Sequence, residues 1–258
     1  MSPEIVAVRR LGQSGFRFEA CGTVIYIDPY LSNSVAEREG PHLQRLMAPP
    51  MLPSEVRDAD LVCVTHAHLD HFDDATLVPL GIASPECRFL CPKEVADLLA
   101  PLVKGPADRV VVAEEEWMDF GRGLRILAVP AAHRTIERDA LGHARCVGYL
   151  FEFGNRRIFH SGDSSVDPVL TARLQSLGPI DVAFLPVNEC NFYRDRLGIV
   201  GNMSVREAFG FAAELGVRLL VPMHYDMFAP NSVYQDEIMA VYRGDRPPFA
   251  IELEPTSV

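Results

Sequence analysis

Residues 60–72 read DLVCVTHAHLDHF, an apolar run that ends in four ligand-type side chains, His66, His68, Asp70 and His71, within six positions. The run LVCV at 61–64 suits a strand buried on both faces, which places the histidines at its C-terminal edge. Side chains at i and i+2 diverge on a helix, so His66 and His68 can converge only from an extended or looped backbone. Imidazole nitrogen with carboxylate oxygen is the donor set of hydrolytic Zn²⁺, Mn²⁺ and Fe²⁺ sites, which keep a position open for water. A solvated polar turn explains one such histidine well. It explains four clustered behind a buried strand poorly.

A catalytic metal rarely draws every ligand from one loop, so more are expected at other strand ends. Three candidates follow: His133 after LRILAVPAA (124–132), Asp163 after RRIFHSG (156–162) and His224 after RLLVPM (218–223). Each would be delivered to a sheet edge by a buried strand. Asp28, closing TVIYID, and His160, inside the strand before Asp163, are better placed to orient ligand imidazoles than to ligate. Asp28 competes with a simple turn-forming role before Pro29.

Outward from this segment, IVAVRRL (5–11), GFRFEA (15–20) and TVIYIDPYL (23–31) predict consecutive antiparallel strands, whereas 32–57 shows no clear periodicity. FDDATLVPL (72–80) and PKEVADLLAPL (92–102) read as helices, RFLC (88–91) and RVVVA (109–113) as short strands. A second strand-rich stretch follows in LRILAVPAAH, CVGYLFEFG (146–154) and RRIFHSGD. Helices and strands then alternate through DPVLTARLQSL (167–177), DVAFLPV (181–187), SVREAFGFAAEL (204–215), RLLVPMHY and SVYQDEIMAVYR (232–243). Ser204 with Glu207 forms a capping-box pattern that fixes one helix start. Two β-rich halves, each followed by helices, are most simply satisfied by an α/β arrangement of two packed sheets with helices outside. No repeat or Gly/Ser-rich linker divides the chain, so 1–258 is expected to be one domain.

Of 258 residues 48% are hydrophobic, enough for one large core, and the formal charge of −11 with no basic run disfavours a nucleic-acid partner. No apolar run approaches a membrane span and the N-terminus lacks a signal-peptide pattern, so a cytoplasmic location is expected. The six cysteines contain no CxxC pair, which argues against disulfides and cysteine ligation. The polar stretch NECNFYRDRLGIVGNMS (188–204) joins a buried strand to a capped helix and is expected to line a pocket. There Arg194 and Arg196 would bind a phosphate or carboxylate, and Asn188, Asn191 and Asn202 would read hydroxyls, the competing reading being a solvated, ion-paired loop. Arg134 is a third anion-binding candidate and Tyr225 an oxyanion donor. Glu189 would oppose an anion unless it bonds a sugar hydroxyl or an arginine. Phe228 and Tyr242 are apolar candidates for an interface in a homo-oligomer.

The motifs THAHLDHF (65–72), PAAHRT (130–135), FHSGDS (159–164) and PMHYDMF (222–228), in that order, resemble the successive metal motifs of the metallo-β-lactamase superfamily over nearly the whole chain. LGQSGFRFEACGTVIYIDPYLS (11–32), HSGDS and GIVGNMSVREA (198–208) are most similar to the L-ascorbate-6-phosphate lactonase branch. The resemblance implies an αββα sandwich of two mixed β-sheets flanked by helices. It further implies two divalent ions per chain, Mn²⁺ or Zn²⁺, one held by His66, His68 and His133, the other by Asp70, His71 and His224, with Asp163 bridging. Two departures stand out: the chain is shorter than that lactonase, and Gln13 occupies a place where many relatives have His. The expected activity is attack by a metal-bound hydroxide on a lactone of a small, sugar-derived or phosphorylated anionic substrate. Asp70 would combine ligation with proton transfer to the leaving alkoxide. A phosphodiesterase or nuclease is the alternative within enzymes. A non-hydrolytic metal-binding or iron-redox member of the superfamily is the alternative outside hydrolysis.

Overall fold

The computed structural model describes residues 5–258. In β2 (Gly15–Ala20), Phe16, Phe18 and Ala20 point inward while Arg17 and Glu19 point out, the period-two pattern of a strand with one buried face. It pairs antiparallel with β1 (Ala7–Gly12) and with β3 (Thr23–Ile27), as the opening pattern predicts. The β2–β3 turn is Cys21-Gly22, both at positive φ, which matches the right-handed twist of its strands. β4 (Leu61–Cys63) is buried throughout and lies parallel to β3. Parallel strands need crossovers, supplied by α2 (Asp74–Ala83) before β5 (Arg88–Cys91) and α3 (Lys93–Leu99) before β6 (Val110–Val112). The aperiodic segment between β3 and β4 holds one six-residue helix, α1 (Ser34–Glu39), too short for a 3.6-residue period to register.

The second sheet repeats this plan. β7 (Met118–Gly121), β8 (Leu124–Pro130), β11 (Val147–Phe153) and β12 (Arg156–His160) are antiparallel neighbours, with a two-stranded ribbon of β9 (Ala132–His133) and β10 (Thr135–Ile136) beside them. α4 (Pro168–Ser176) leads to β13 (Val182–Pro186). α5 (Phe192–Arg196) and α6 (Val205–Glu214) lead to β14 (Leu219–Met223), and α7 (Gln235–Asp245) to β15 (Ala250–Ile251), all in parallel pairing. The sheets run β1-β2-β3-β4-β5-β6 and β15-β14-β13-β12-β11-β8-β7, each with an antiparallel and a parallel half. The capping box is present: Ser204 Oγ accepts from Glu207 N–H, and Ser204 N–H donates to Glu207.

The sheets meet face to face through aromatic side chains. Phe16 stands 4.7 Å from Phe184, and Phe18 stands 5.2 Å from Phe184 and 5.7 Å from Phe151, ring centre to ring centre. α2 and α3 cover the outer face of the first sheet and α4, α6 and α7 that of the second. The result is an αββα sandwich. Phe228 is buried beside Tyr30 and offers no exposed face, whereas Tyr242 is half-buried, packs on Phe209 and donates its hydroxyl to Phe249 O. None of the six cysteines is in a disulfide. No helix among the described residues is long and apolar enough to cross a membrane.

Candidate metal centre

The C-terminal ends of β4, β8, β12 and β14 come together at one edge of the sandwich. They bring His66, His68, His133, His71, Asp163, Asp70 and His224 into three overlapping groups whose donor atoms lie within 4.8 Å of one another. His68 Nδ1 lies 3.1 Å from His66 Nε2 and 3.2 Å from His133 Nε2. With metal–nitrogen bonds of about 2.1 Å, adjacent tetrahedral ligands stand about 3.4 Å apart, close to this spacing. One imidazole N–H can serve only one of its two neighbours, whereas a single cation satisfies all three nitrogens. In the adjoining group, Asp163 lies 3.3 Å from His71 Nε2 and 3.1 Å from His224 Nε2, and Asp70 lies 3.3 Å from His224 Nε2. His71 Nε2 and Asp163 Oδ1 are buried and, though 3.3 Å apart, make no well-formed hydrogen bond with each other or with any other group, a placement that a shared cation would satisfy. The residues present therefore fit divalent metal.

Neighbouring groups decide which ring nitrogen faces inward. Asp28, fully buried, accepts from Thr65 N–H at 2.8 Å, from Thr65 Oγ1 at 2.7 Å and from His71 Nδ1 at 2.7 Å, which turns His71 Nε2 toward the cluster. Thr65 Oγ1 also meets His66 Nδ1 at 3.0 Å. His133 Nδ1 lies 3.2 Å from Asn202 Oδ1; Asn202 donates to Asn188 and Asn188 to Asn231, so a chain of amides fixes that imidazole. Gln13 Nε2 donates to Asp70 Oδ2 at 2.8 Å and sits 3.1 Å from His224 Nε2. Asp73, just past the motif, is buried, caps α2 and accepts from Ser34 Oγ, tying the histidine loop to α1.

The backbone is strained where these side chains are aimed. Gln13, Asp28, Arg134 and His224 have φ of 55°, 42°, 69° and 60°. This left-handed region costs a residue with a Cβ on the order of 1 kcal/mol or more and is tolerated where the surrounding structure fixes it. Gly162 (φ 58°) precedes Asp163, and a Cβ there would stand 2.8 Å from Val147 O and 2.9 Å from Thr65 Cβ. Only glycine lets β12 approach the Thr65 loop this closely.

The electrostatics call for positive charge. Burial alone would lower the pKa of His71, yet Asp163, Asp70 and Asp28 raise it well above the ordinary imidazole value. Burial opposes the same change at His224, but Asp163 and Asp70 lift it to about 9. The two carboxyls resist burial and are held far below their usual range, Asp70 first by His71 and Asp163 first by His224. Burial and neighbouring imidazoles depress His66 and His133.

Above the cluster lies a cavity of about 320 Å³ bordered by His68, Asp70, Asp163 and His224 at its floor and by residues of α1 and of 197–200 at its walls. The expected anion-binding arginines are not in it. Arg194 is buried, its guanidinium donating to the carbonyls of Glu189, Pro230 and Ser232, which ties α5 to the segment after β14. Arg134 pairs with Asp195, and Arg196 lies exposed over Phe192. Asn191 caps α5 and donates to Glu189, which also pairs with Arg194. Asn188 and Asn202 are committed to the amide chain behind His133 instead of to substrate hydroxyls. Tyr225 is buried in the core, its hydroxyl engaged by Arg10 and Gln235, so it is no oxyanion donor. His160 orients no ligand imidazole: Nε2 donates to Ser14 O and Nδ1 accepts Gly162 N–H, bracing the loops that carry Gln13 and Asp163.

Residues 23–225 match the beta-lactamase superfamily domain, so the class of protein is a metallo-enzyme fold with its ligands at one sandwich edge. The chain is 30% identical to a UPF0173 metal-dependent hydrolase of Pyrococcus horikoshii and 29% identical to one of Pyrococcus abyssi, in each case over 90% of both chains. It belongs to this family of metal-dependent hydrolases within the beta-lactamase superfamily. Among solved structures, Igni18, a metallo hydrolase from Ignicoccus hospitalis, superposes with a TM-score of 0.74 over 98% of this chain and 97% of its own at 22% identity.

Proposed function

We propose that this metal-dependent hydrolase opens a carboxylic ester, most specifically a lactone, of a small molecule at a two-metal centre. His66, His68 and His133 would hold one ion and Asp70, His71 and His224 the other, with Asp163 reaching both; Mn²⁺ and Zn²⁺ both suit this donor set. Such ions, when bound, lower the pKa of water toward neutrality and polarise a carbonyl oxygen, so no serine or cysteine nucleophile is required. Asp28 and the Asn188–Asn202 pair keep the Nε2 atoms of His71 and His133 aimed at the centre. Asp70, held ionised and bordering the cavity, begins as a proton acceptor. Water adds its oxygen to the ester carbonyl, the carbon–oxygen bond of the ring breaks, and the proton from water passes by way of Asp70 to the leaving alkoxide.

The observation that supports an uncharged acyl substrate is the cavity lining, which holds no arginine or lysine to bind a phosphate substituent away from the metal ligands. A phosphorylated or otherwise anionic substituent, as expected from sequence, finds no arginine or lysine in that lining. Metal-loaded protein screened against matched lactones, linear esters and phosphodiesters should open lactones with the highest kcat/KM. Cleavage of phosphodiesters with every lactone untouched would overturn the reading.

A further inference from the structure

The cavity has a direction. It is lined by the metal-facing side chains His68, Asp70, Asp163 and His224, by seven apolar residues of 35–43, 69, 197–200 and 228 with Asn231 among them, and by the exposed Glu39 and His42. Glu39 and His42 are exposed and lie on α1 and just beyond it, whereas Val35 and Phe228 are buried, so apolar side chains line the cavity between the metal-facing residues and an exposed carboxylate. With two divalent ions at the floor, the two carboxylates Asp70 and Asp163 leave that end cationic, which suits a carbonyl oxygen that gains negative charge during reaction. The opposite end carries a carboxylate and no arginine or lysine among its lining residues. Of the cations nearest in sequence, Arg38 pairs with Asp74, Arg45 donates to the carbonyls of Tyr30 and Ser32, Arg194 donates to backbone carbonyls, and Arg134 pairs with Asp195.

We propose that the substrate is a small ester or lactone with an uncharged, apolar substituent lying along the walls, and that Glu39 excludes substrates with a carboxylate or phosphate at the end remote from the scissile bond. The proposal rests on the hydrolytic reading above and adds to it the substrate class and the residue that sets it. An apolar tail gains from leaving water against the seven apolar side chains of the lining. An anionic tail would give up hydration at the same walls and meet Glu39 with no arginine or lysine in the lining to compensate. A neutral tail is therefore selected twice, by attraction along the wall and by repulsion of its rivals at the mouth.

The test uses metal-loaded full-length protein and lactones alike in ring and tail length that end in methyl, carboxylate or phosphate. The methyl-ended compound should show kcat/KM at least tenfold above the other two. Glu39→Lys should raise the carboxylate-ended compound at least threefold while moving the methyl-ended one less than twofold. Glu39 is an exposed residue at the end of α1, so its replacement leaves the core intact. Binding of a non-hydrolysable cyclic ketone with the methyl-ended tail, and of its carboxylate-ended analogue, is measured in parallel by calorimetry. Preference for the anionic compounds, in turnover or in binding, overturns the proposal, as does a Glu39→Lys profile unchanged from the parent. Tight, methyl-selective ketone binding without turnover of any lactone would support this cavity reading and refute the lactonase reading instead.

Discussion

Asp28→Asn isolates what the buried carboxylate behind the centre does. Asp28 accepts three hydrogen bonds, two from Thr65 and one from His71 Nδ1, at 2.7 to 2.8 Å. Asparagine keeps the volume and one oxygen but turns an NH₂ toward a donor. If the oxygen stays on Thr65 N–H, the amide faces His71 Nδ1, and the imidazole relieves the clash by moving its proton to Nε2. That nitrogen then presents N–H where a ligand lone pair is needed. Loss of such an orienting partner weakens metal binding by about 10- to 100-fold, or about 1.4 to 2.7 kcal/mol. Competition with a chromophoric chelator should resolve the loss at the site containing His71, while the three-histidine group keeps its ion. Circular dichroism of the metal-loaded variant should match the parent. Two unchanged affinities would refute the orienting role of Asp28.

Gln13→Leu removes the donor to Asp70 while keeping the apolar volume; kcat should fall about tenfold, the worth of one hydrogen bond to a charged group, and an unaltered kcat would show that Asp70 stands unaided. Metal loading should release about two protons per chain near pH 7, since His71 and His224 are held protonated without metal and must deprotonate to ligate. The sign follows from the raised His224 value: its protonated form stabilises the metal-free fold fully below the ordinary imidazole pKa of about 6.5, and that contribution is lost as pH rises through about 9. Proton release should fade over the same rise, and calorimetry in buffers of different ionisation enthalpy would expose its absence. Arg194→Ala should lower stability by about 2 to 3 kcal/mol, because three carbonyls lose a buried charged donor, and Tm by about 5 to 10 °C. Arg134→Ala, which breaks an exposed ion pair, should leave both stability and turnover almost unchanged; a large activity loss there would return an anion site to the pocket.

The seven clustered side chains and the two-sheet plan were legible because both rest on local signals: apolar runs of strand length and polar residues at their C-terminal ends. Asp28 was legible as an orienting residue for the same reason. The amide chain through Asn202, Asn188 and Asn231 was not, since its members are far apart in sequence and their polarity in a loop reads equally as contact with substrate. Arg194 misled in the same way: a polar stretch does not reveal that the carbonyls of Glu189 and of the distant Pro230 and Ser232 converge on one arginine. Tyr225 follows a ligand yet faces the core, because His224 adopts a left-handed backbone that turns the chain there. The cavity wall drew on α1, whose six residues carry no readable period. Gln13 was visible as a departure from relatives, but its bond to Asp70 emerged only with the fold.

The central claim is that His66, His68, Asp70, His71, His133, Asp163 and His224 form one two-metal catalytic centre. Metal content per chain at neutral pH, measured by mass spectrometry alongside turnover of a lactone, tests it most directly. Two divalent ions per chain are expected in the parent, with loss of one ion and of metal-dependent turnover in His66→Ala. Protein that retains no metal at neutral pH, or a His66→Ala variant with full turnover, would contradict the account.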